Sequence, residues 1–337
     1  MTDQRYQAEI LSTHTPALFQ EAVRRAVNVL RAGDLAAVPT ETVYGLSANA
    51  LDARSVAKIY KAKGRPQHNP IIVHVAGLDM ARRCVSEWPE LAGRLAAAFW
   101  PGPLTLVLPR SSEIPDAVTA GGETVGIRWP SHPFIQEVIR ECGFPLAAPS
   151  ANLSNEVSPT NARHVFKSLG TKIPLIVDGG QSQVGLESTV LDVTVSPPRL
   201  LRPGMIHEES LLAVTGELAV GTGVGVLKSP GLLKKHYSPR ARLVVWSWKN
   251  EPELNRRIVE AGFQFSRTHV VAHTCIPMSP ALGRVSVIPH DAEAFARAIY
   301  AELHHCDEAG AELIVVEATP DGPEWRAIAD RLQRASA

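Results

Sequence analysis

Cysteine is scarce: the 337-residue chain has four, Cys84, Cys142, Cys275 and Cys306, far apart and without a CxxC spacing. That distribution excludes a disulfide framework and a cysteine zinc site and reads as buried thiols in a reducing compartment. No stretch approaches the ~18 consecutive apolar residues of a membrane span. The opening residues, MTDQRYQAEILS, hold no apolar segment of the signal-peptide type. The expectation is therefore a cytoplasmic chain with no membrane association. Charge excess is missing as well, because Lys plus Arg and Asp plus Glu number 34 each. A protein living on nucleic acid or an anionic membrane carries a visible basic excess, so such partners would need a local patch. What is present is ordinary globular composition, 45% hydrophobic and 20% charged, which excludes disordered and fibrous classes. At roughly 150 residues per domain, the length fits about two domains.

Hydrophobic spacing predicts how the chain is organised. Pro16 stands near the start of a helix whose apolar stripe is Ala22, Val23, Ala26, Val27 and Leu30, and Gly33 ends it. Residues 35–39 read as a strand entering the loop 40–46. Asp52 caps a second helix with Val56, Ile59 and Tyr60 on its buried side, stopped by Gly64-Arg65-Pro66. Further strands are expected at 71–75, 104–108, 124–129, 146–148, 175–177 and 188–193. Helices are expected at 91–99, 133–142 and 159–169, so strand and helix alternate as in an α/β domain. The texture changes after Arg202-Pro203-Gly204. Residues 219–239 are rich in glycine and proline and read as a linker. Beyond it, strands at 243–246, 268–272, 285–288 and 313–316 alternate with helices at 252–261, 292–303 and 325–335. These form a second, smaller α/β domain with a doubly wound rhythm.

Several residues invite chemistry. Residues 53–78 contain no acid, yet Arg54, Lys58, Lys61, Lys63 and Arg65 are basic. Cations in the last turn of a helix also suit its dipole, which is the plainer explanation for any one of them. The cluster Lys61-Ala62-Lys63-Gly64-Arg65-Pro66 goes further, because Gly64 and Pro66 fix the backbone where Arg65 leaves the helix. A rigid Lys/Arg pair suits a polyphosphate or a carboxylate. His74 shares a strand face with Ile72, opposite Ile71, Val73 and Val75. Arg128 interrupts an apolar strand and needs an anionic partner, either a protein carboxylate or a ligand. Ser150 and Asn152 project from the turn after an apolar strand ending in Pro149. Ser158-Pro159 has the form of an N-cap followed by proline at the first helical position, a ready anion site. Other patterns fall short. Gly221-Thr222-Gly223-Val224-Gly225-Val226 imitates a dinucleotide fingerprint but lacks its third glycine. There is no P-loop motif, and His304-His305-Cys306 are adjacent helix residues that point different ways, so no metal ligands are assigned.

Read in order, the segments Pro39-Thr40-Glu41-Thr42-Val43-Tyr44-Gly45-Leu46, Lys61-Ala62-Lys63-Gly64-Arg65-Pro66 and His68-Asn69-Pro70 resemble the Sua5/YrdC family, the threonylcarbamoyl-AMP synthases. The resemblance continues through Trp100-Pro101-Gly102-Pro103-Leu104-Thr105, Val125-Gly126-Ile127-Arg128-Trp129-Pro130 and Ala148-Pro149-Ser150-Ala151-Asn152. Glu187-Ser188-Thr189-Val190 and Leu201-Arg202-Pro203-Gly204 complete it. The segment from Ser229-Pro230-Gly231 to His236-Tyr237-Ser238-Pro239, with the smaller domain behind it, is similar to the long, Sua5-type form. The implied fold is a YrdC-like twisted mixed-sheet domain over 1–207. A linker over 208–240 would close over the active site, and a Rossmann-like doubly wound C-terminal domain would span 241–337.

The resemblance implies synthesis of L-threonylcarbamoyladenylate from L-threonine, bicarbonate and ATP, with release of pyrophosphate. A partner tRNA threonylcarbamoyltransferase complex would then modify a tRNA adenosine, the t6A modification. By the same similarity Thr42, His74, Arg128 and Ser188 would hold threonine, with Arg128 on its carboxylate. Arg65, Asn69, Thr124, Ala148 and Ser150 would contact ATP, joined by Ser158 and Arg202. Lys63 and Arg65 are the candidate catalytic cations, Asn152 would shape the nucleotide pocket, and Tyr237 would reach it from the linker. Magnesium is expected on the ATP phosphates rather than on a protein site. The competing reading is a non-catalytic double-stranded RNA-binding or ribosome-associated module, so weak RNA contact stays open. A carbamoyl-transfer accessory domain would carry extra zinc-finger and acylphosphatase-like regions, which are absent from the sequence.

Overall fold

The computed structural model describes residues 6–220 and 237–337. The chain forms two units: Met1–Ser154 with Ser158–Gln183 and Glu187–Leu232, and Leu233–Ala337 with Asn155–Val157 and Val184–Leu186.

The first unit opens with β1 (Glu9–Ser12) and α1 (Pro16–Arg31). Thr15 caps α1 by accepting the Leu18 N–H at 3.2 Å, and Ala22, Val23, Ala26, Val27 and Leu30 are its buried stripe. β2 (Ala36–Val38), β3 (Gly45–Asn49) and α2 (Ala53–Lys63) follow. Asp52 caps α2 by accepting the Arg54 and Ser55 N–H groups. Gly64 ends it with a φ of 60°, a left-handed turn that side chains resist. Next come β4 (Val73–His74), α3 (Leu78–Arg83), α4 (Glu90–Phe99), β5 (Leu104–Pro109) and α5 (Asp116–Thr119). β6 (Thr124–Arg128), α6 (Pro133–Cys142), β7 (Leu146–Ala147) and α7 (Ala162–Leu169) lead to β8 (Leu175–Asp178). β9 (Thr189–Asp192), β10 (Arg199–Arg202), α8 (Glu208–Thr215) and β11 (Ala219–Val220) complete the described part of the unit.

Among the described residues the strands make one mixed sheet in the order β1-β8-β2-β3-β7-β4-β6-β5-β9-β10-β11. Its centre has two unlike faces, because side chains alternate along a strand. Leu104, Leu106 and Leu108 of β5, Val125 and Ile127 of β6 and Leu191 of β9 join Val56 and Ile59 of α2 and Leu95 of α4 in the main core. The other face mixes small and polar side chains with an apolar patch of Val107 and Val190. Register pairs Val107 with Gly126, Thr105 with Val190 and His74 with Arg128, so Thr105, Thr124, Gly126, His74 and Arg128 share it.

Residues 208–220 were expected in the linker, and here the structure corrects the reading. They form α8 and β11, and β11 pairs in parallel with β10. Leu211 of α8 is fully buried, and one buried apolar side chain per helix face is enough to dock a short helix that has little periodicity of its own. The rest of the expected linker, 221–236, lies outside the described residues, as does the glycine-rich imitation of a dinucleotide fingerprint.

The second unit contains β12 (Arg242–Trp246), α9 (Glu251–Glu260), β13 (Thr268–Ala272), β14 (Arg284–Val287), α10 (Ala292–Glu308), β15 (Leu313–Glu317) and α11 (Arg326–Ala335). The sheet order is β12-β15-β13-β14, and every pairing is parallel. β13 and β15 are buried along their whole length, which is why each reads as a continuous apolar run rather than an alternating one. This is the expected doubly wound arrangement. Among the described residues no helix is long and apolar enough to cross a membrane.

Candidate active site

β4 and β6 run side by side in parallel, with His74 beside Arg128. Arg128 is 4% exposed. Its Nε donates to the Gly102 carbonyl at 3.3 Å and its Nη1 to Thr42 Oγ1 at 2.8 Å. Nη2 lies 2.6 Å from Glu41 Oε1, an ion pair of two buried groups. The Arg128 side chain and the Ser131 amide both face the Glu41 carboxylate and favour its charged form. The strand's open question therefore has an answer, since the protein itself supplies an anion for Arg128. Burial pushes the Glu41 carboxyl up, but the Arg128 charge together with hydrogen bonds from Arg128, Ser131 and its own amide outweighs it and holds the group below the ordinary carboxylate value. Burial, reinforced by the Arg128 charge, drives His74 down to about 3, so it is neutral at physiological pH. Its Nδ1 is buried without a partner among the described residues.

The turn carrying Glu41 and Thr42 is tied internally. Thr40 Oγ1 donates to the Val43 carbonyl at 2.6 Å, accepts the Thr42 N–H at 3.2 Å, and lies 2.9 Å from Thr42 Oγ1. Beside it, Ser188 Oγ is 2.8 Å from Thr105 Oγ1. Arg202 donates through Nε to the Ser188 carbonyl and through Nη2 to Ser188 Oγ. A register shift between Leu200 and Arg202 lets β10 make that approach. Gly204 presses so closely on β9 that a Cβ there would lie 2.4 Å from the Thr189 nitrogen. Only glycine fits.

The cations after α2 gather a second group. Lys63 is buried, and its Nζ donates to the carbonyls of Ser150 and Asn152 and to Asn152 Oδ1. Ser150 also bridges to Gly45. Arg65, past the left-handed Gly64, donates to the carbonyls of Asn69 and Pro70. Asn69 is 1% exposed, and its side-chain amide has no described partner. Pro70 and Ile72 line a depression of mixed character with Thr105, Thr124 and Gly126 and the apolar Val107 and Val190. Ala148, whose N–H donates to the Ile72 carbonyl, borders the same strand. The predicted residues of the first unit thus fall into groups: Thr42, His74 and Arg128; Ser188 and Arg202; Lys63, Ser150 and Asn152; and Arg65 and Asn69, whose neighbour Pro70 lines the depression that also holds Thr124.

Two expectations fare differently. Ser158 is not a helix cap. Its Oγ donates to Glu187 Oε1 at 2.6 Å, and α7 begins later, under Asn161, whose side chain accepts the His164 N–H. The Pro159 carbonyl is spent on the Tyr44 N–H, so the helix does not start there and Asn161 caps it instead. Tyr237 is placed in the second unit, where it is 1% exposed, stacks on Tyr300 with ring centres 6.0 Å apart, and lies under the Arg331 guanidinium.

Sequence reasoning assigned no role to Glu41, Thr105, Gly126 or Glu187. The signals were modest: a lone carboxylate between two threonines, and a lone hydroxyl inside Leu104-Thr105-Leu106. Among the described residues no group of three or more His, Cys, Asp or Glu side chains could hold a metal ion.

The fold and site define a class: a two-unit α/β protein that lines one face of a mixed sheet with buried cations, hydroxyls and a neutral histidine. Residues 28–204 match the Sua5, YciO and YrdC family model, described as telomere recombination. Residues 206–337 match the threonylcarbamoyl-AMP synthase C-terminal domain. The chain belongs to the Sua5/YciO/YrdC family. It is 40% identical over 319 residues to the threonylcarbamoyl-AMP synthase of Pyrococcus abyssi, covering 93% of this chain and 94% of that one. It is also 40% identical over 338 residues to that of Bacillus subtilis, covering 97% and 94%. The crystal structure of P. abyssi Sua5 complexed with L-threonine superposes with a TM-score of 0.88 at 38% identity, covering 98% of both chains.

Proposed function

We propose that this chain is an L-threonylcarbamoyladenylate synthase, a nucleotidyltransferase that joins L-threonine, bicarbonate and ATP and releases pyrophosphate. The observation that carries the reading is the buried Arg128, held by Thr42 and Gly102 next to a neutral His74, in a chain so similar to a protein solved with L-threonine. Relatives named as threonylcarbamoyl-AMP synthases, matched nearly end to end, point the same way.

The chemistry suits these residue types. The threonine amine takes the carbon of bicarbonate, water leaves, and the carbamate formed is an anionic oxygen nucleophile. Its oxygen then bonds to the α-phosphorus of ATP while the bond to pyrophosphate breaks. Such a reaction is limited by positioning and charge stabilisation rather than by a strong base. Arg128 takes the threonine carboxylate in a fork that its remaining N–H groups can form. Thr42 and Ser188 supply hydroxyls. Neutral His74 accepts a hydrogen bond without adding a charge that would repel an amine. Lys63 and Arg65, with no acid in the surrounding 53–78 segment, offset triphosphate charge. Asn69, Thr124, Ala148, Ser150, Asn152, Ser158 and Arg202 hold the nucleotide. Excluding water from the site would protect a hydrolysable adenylate. Magnesium accompanying the triphosphate would be carried by phosphate oxygens and water, consistent with the donor set of the site, which is cations, amides and hydroxyls. The product would pass to a tRNA threonylcarbamoyltransferase in the cytoplasm.

The test is direct. Purified protein incubated with labelled L-threonine, bicarbonate and ATP should release pyrophosphate and form the labelled adenylate only when all three are present. Pyrophosphate release that ignores threonine would overturn the reading.

A further inference from the structure

Burying an arginine whose job is to bind a ligand poses a physical problem. Without an anion it is costly to desolvate, and with a fully bonded protein carboxylate its donors are used up. The geometry around Arg128 avoids both outcomes. Nε and one N–H of Nη1 are committed to Gly102 and Thr42. Glu41 lies 2.6 Å from Nη2 and engages one of its N–H groups. Charge is compensated while the second N–H of Nη1 and the second of Nη2 stay available.

We propose that Glu41 is a positioning residue of the amino-acid pocket: it balances the buried charge of Arg128 and fixes its orientation while leaving N–H donors for a substrate carboxylate. The proposal rests on the amino-acid pocket described above and deepens it. Glu41 acts through Arg128 and not on the substrate, because its carboxylate oxygens are themselves buried and would repel a substrate carboxylate. The groups facing it come from three elements. They are Arg128 on β6, His74 on β4, and His132 with the Ser131 amide at the start of α6. Burial holds both histidines toward the neutral form, so Arg128 is the one charge in that set for Glu41 to balance. The Thr40 turn, bonded internally, delivers Glu41 and Thr42 to the same guanidinium from adjacent positions.

Balance also sorts the ligands. A compensated guanidinium attracts a single carboxylate through directed donors, whereas Lys63 and Arg65 lie in an acid-free segment and suit a polyanion. Removing the Glu41 charge should therefore blur the distinction between carboxylate-bearing and carboxylate-free amino acids, an effect that a merely structural residue would not have.

The experiment is a double-mutant cycle on the full chain, with L-threonine and L-threoninamide titrated calorimetrically into the wild type, Glu41→Gln, Arg128→Ala and the double variant. Glu41→Gln should weaken L-threonine binding by about tenfold, narrow the preference over L-threoninamide, and leave ATP binding within about twofold. In the Arg128→Ala background, Glu41→Gln should add no further loss. Additive losses, or equal losses for threonine and ATP, would overturn the proposal. Should Glu41→Gln fail to fold, Glu41→Asp takes its place in the same cycle. It keeps the charge, shifts it by one methylene, and should weaken threonine only where Arg128 is present; the same loss without Arg128 would refute the idea. The two readings fail separately: a wild type that makes no threonine-dependent adenylate sinks the synthase. A wild type that does so, with a Glu41→Gln variant that binds threonine equally well, sinks only the role of Glu41.

Discussion

Two glutamates, one in each unit, are equally hidden and differently treated. Glu41 is 6% exposed and so is Glu317. Glu317, at the carboxyl end of β15, accepts the backbone N–H groups of His273, Thr274 and Cys275 at 2.7, 2.8 and 3.0 Å. Burial pushes its carboxyl up, and those three donors more than reverse the effect. Glu41 is compensated chiefly by one neighbouring charge, Arg128, which keeps two of its own N–H groups to spare. The contrast separates two uses of a buried acid. Full satisfaction pins the turn after β13 to β15 and leaves nothing over. Compensation chiefly by one charge keeps that neighbour's remaining donors available, which is what a binding site requires and what a merely structural ion pair has no reason to preserve.

That contrast can be broken from either side. The largest effect should come from Arg128→Ala, which strands the Glu41 charge in the interior. It is expected to cost about 3–5 kcal/mol of stability and to raise the threonine KM far more than the ATP KM, both measurable by denaturation and separate substrate titrations. Arg202→Ala should do the converse, weakening ATP use more than threonine use, and identical kinetic profiles would contradict the assignment. Glu317→Ala leaves three N–H groups, one buried and two part-buried, without their acceptor. A loss of about 2–3 kcal/mol in urea denaturation is expected, with threonine affinity unchanged; a threonine defect there would erase the distinction between the two acids.

Acidity sharpens the same comparison. His74 is neutral when folded, its pKa driven from 6.5 to about 3, so the unfolded chain takes up a proton there before the folded one does. Its contribution is intact above pH 6.5 and is lost as pH falls toward 3, with a slope approaching about 1.4 kcal/mol per pH unit. His74→Gln should flatten that part of a stability–pH curve. Glu317, lowered from 4.5, contributes above its unfolded value and loses that contribution only as pH drops below 4.5, a window that opens later on acidification and overlaps the lower part of the His74 range. The smallest expected effect is Asp52→Ala, which removes the cap of α2. A loss of about 1 kcal/mol in thermal melts, without a change in either KM, would place α2 as a scaffold for Lys63 rather than a participant.

Much of this architecture can be read from the chain. The apolar stripe of α1, the Asp52 cap and the left-handed Gly64 are local features, decided within one or two turns. The second unit is legible because β13 and β15 are continuous apolar runs. What stays hidden depends on distant partners. β3, Gly-Leu-Ser-Ala-Asn, has little strand propensity and exists because β2 and β7 pair with it on either side. Ser158 and Asn161 are both good caps, and only the engagement of Pro159 by Tyr44 decides between them. α8 and β11 sit in a segment whose texture says linker, yet β10 offers an edge to pair with. The resemblance of the ordered motifs placed Arg128 and Thr42 together. The identity of the anion facing Arg128 waited on the structure, since residues 41 and 128 meet only through the folding of the sheet.

The central claim is that Arg128 holds a substrate carboxylate in a pocket whose charge the protein has already balanced. Equilibrium titration of L-threonine into the wild type, Arg128→Ala and Glu317→Ala tests it most directly. Saturable binding that Arg128→Ala abolishes and Glu317→Ala preserves is the predicted result, and binding that survives Arg128→Ala unchanged would contradict it.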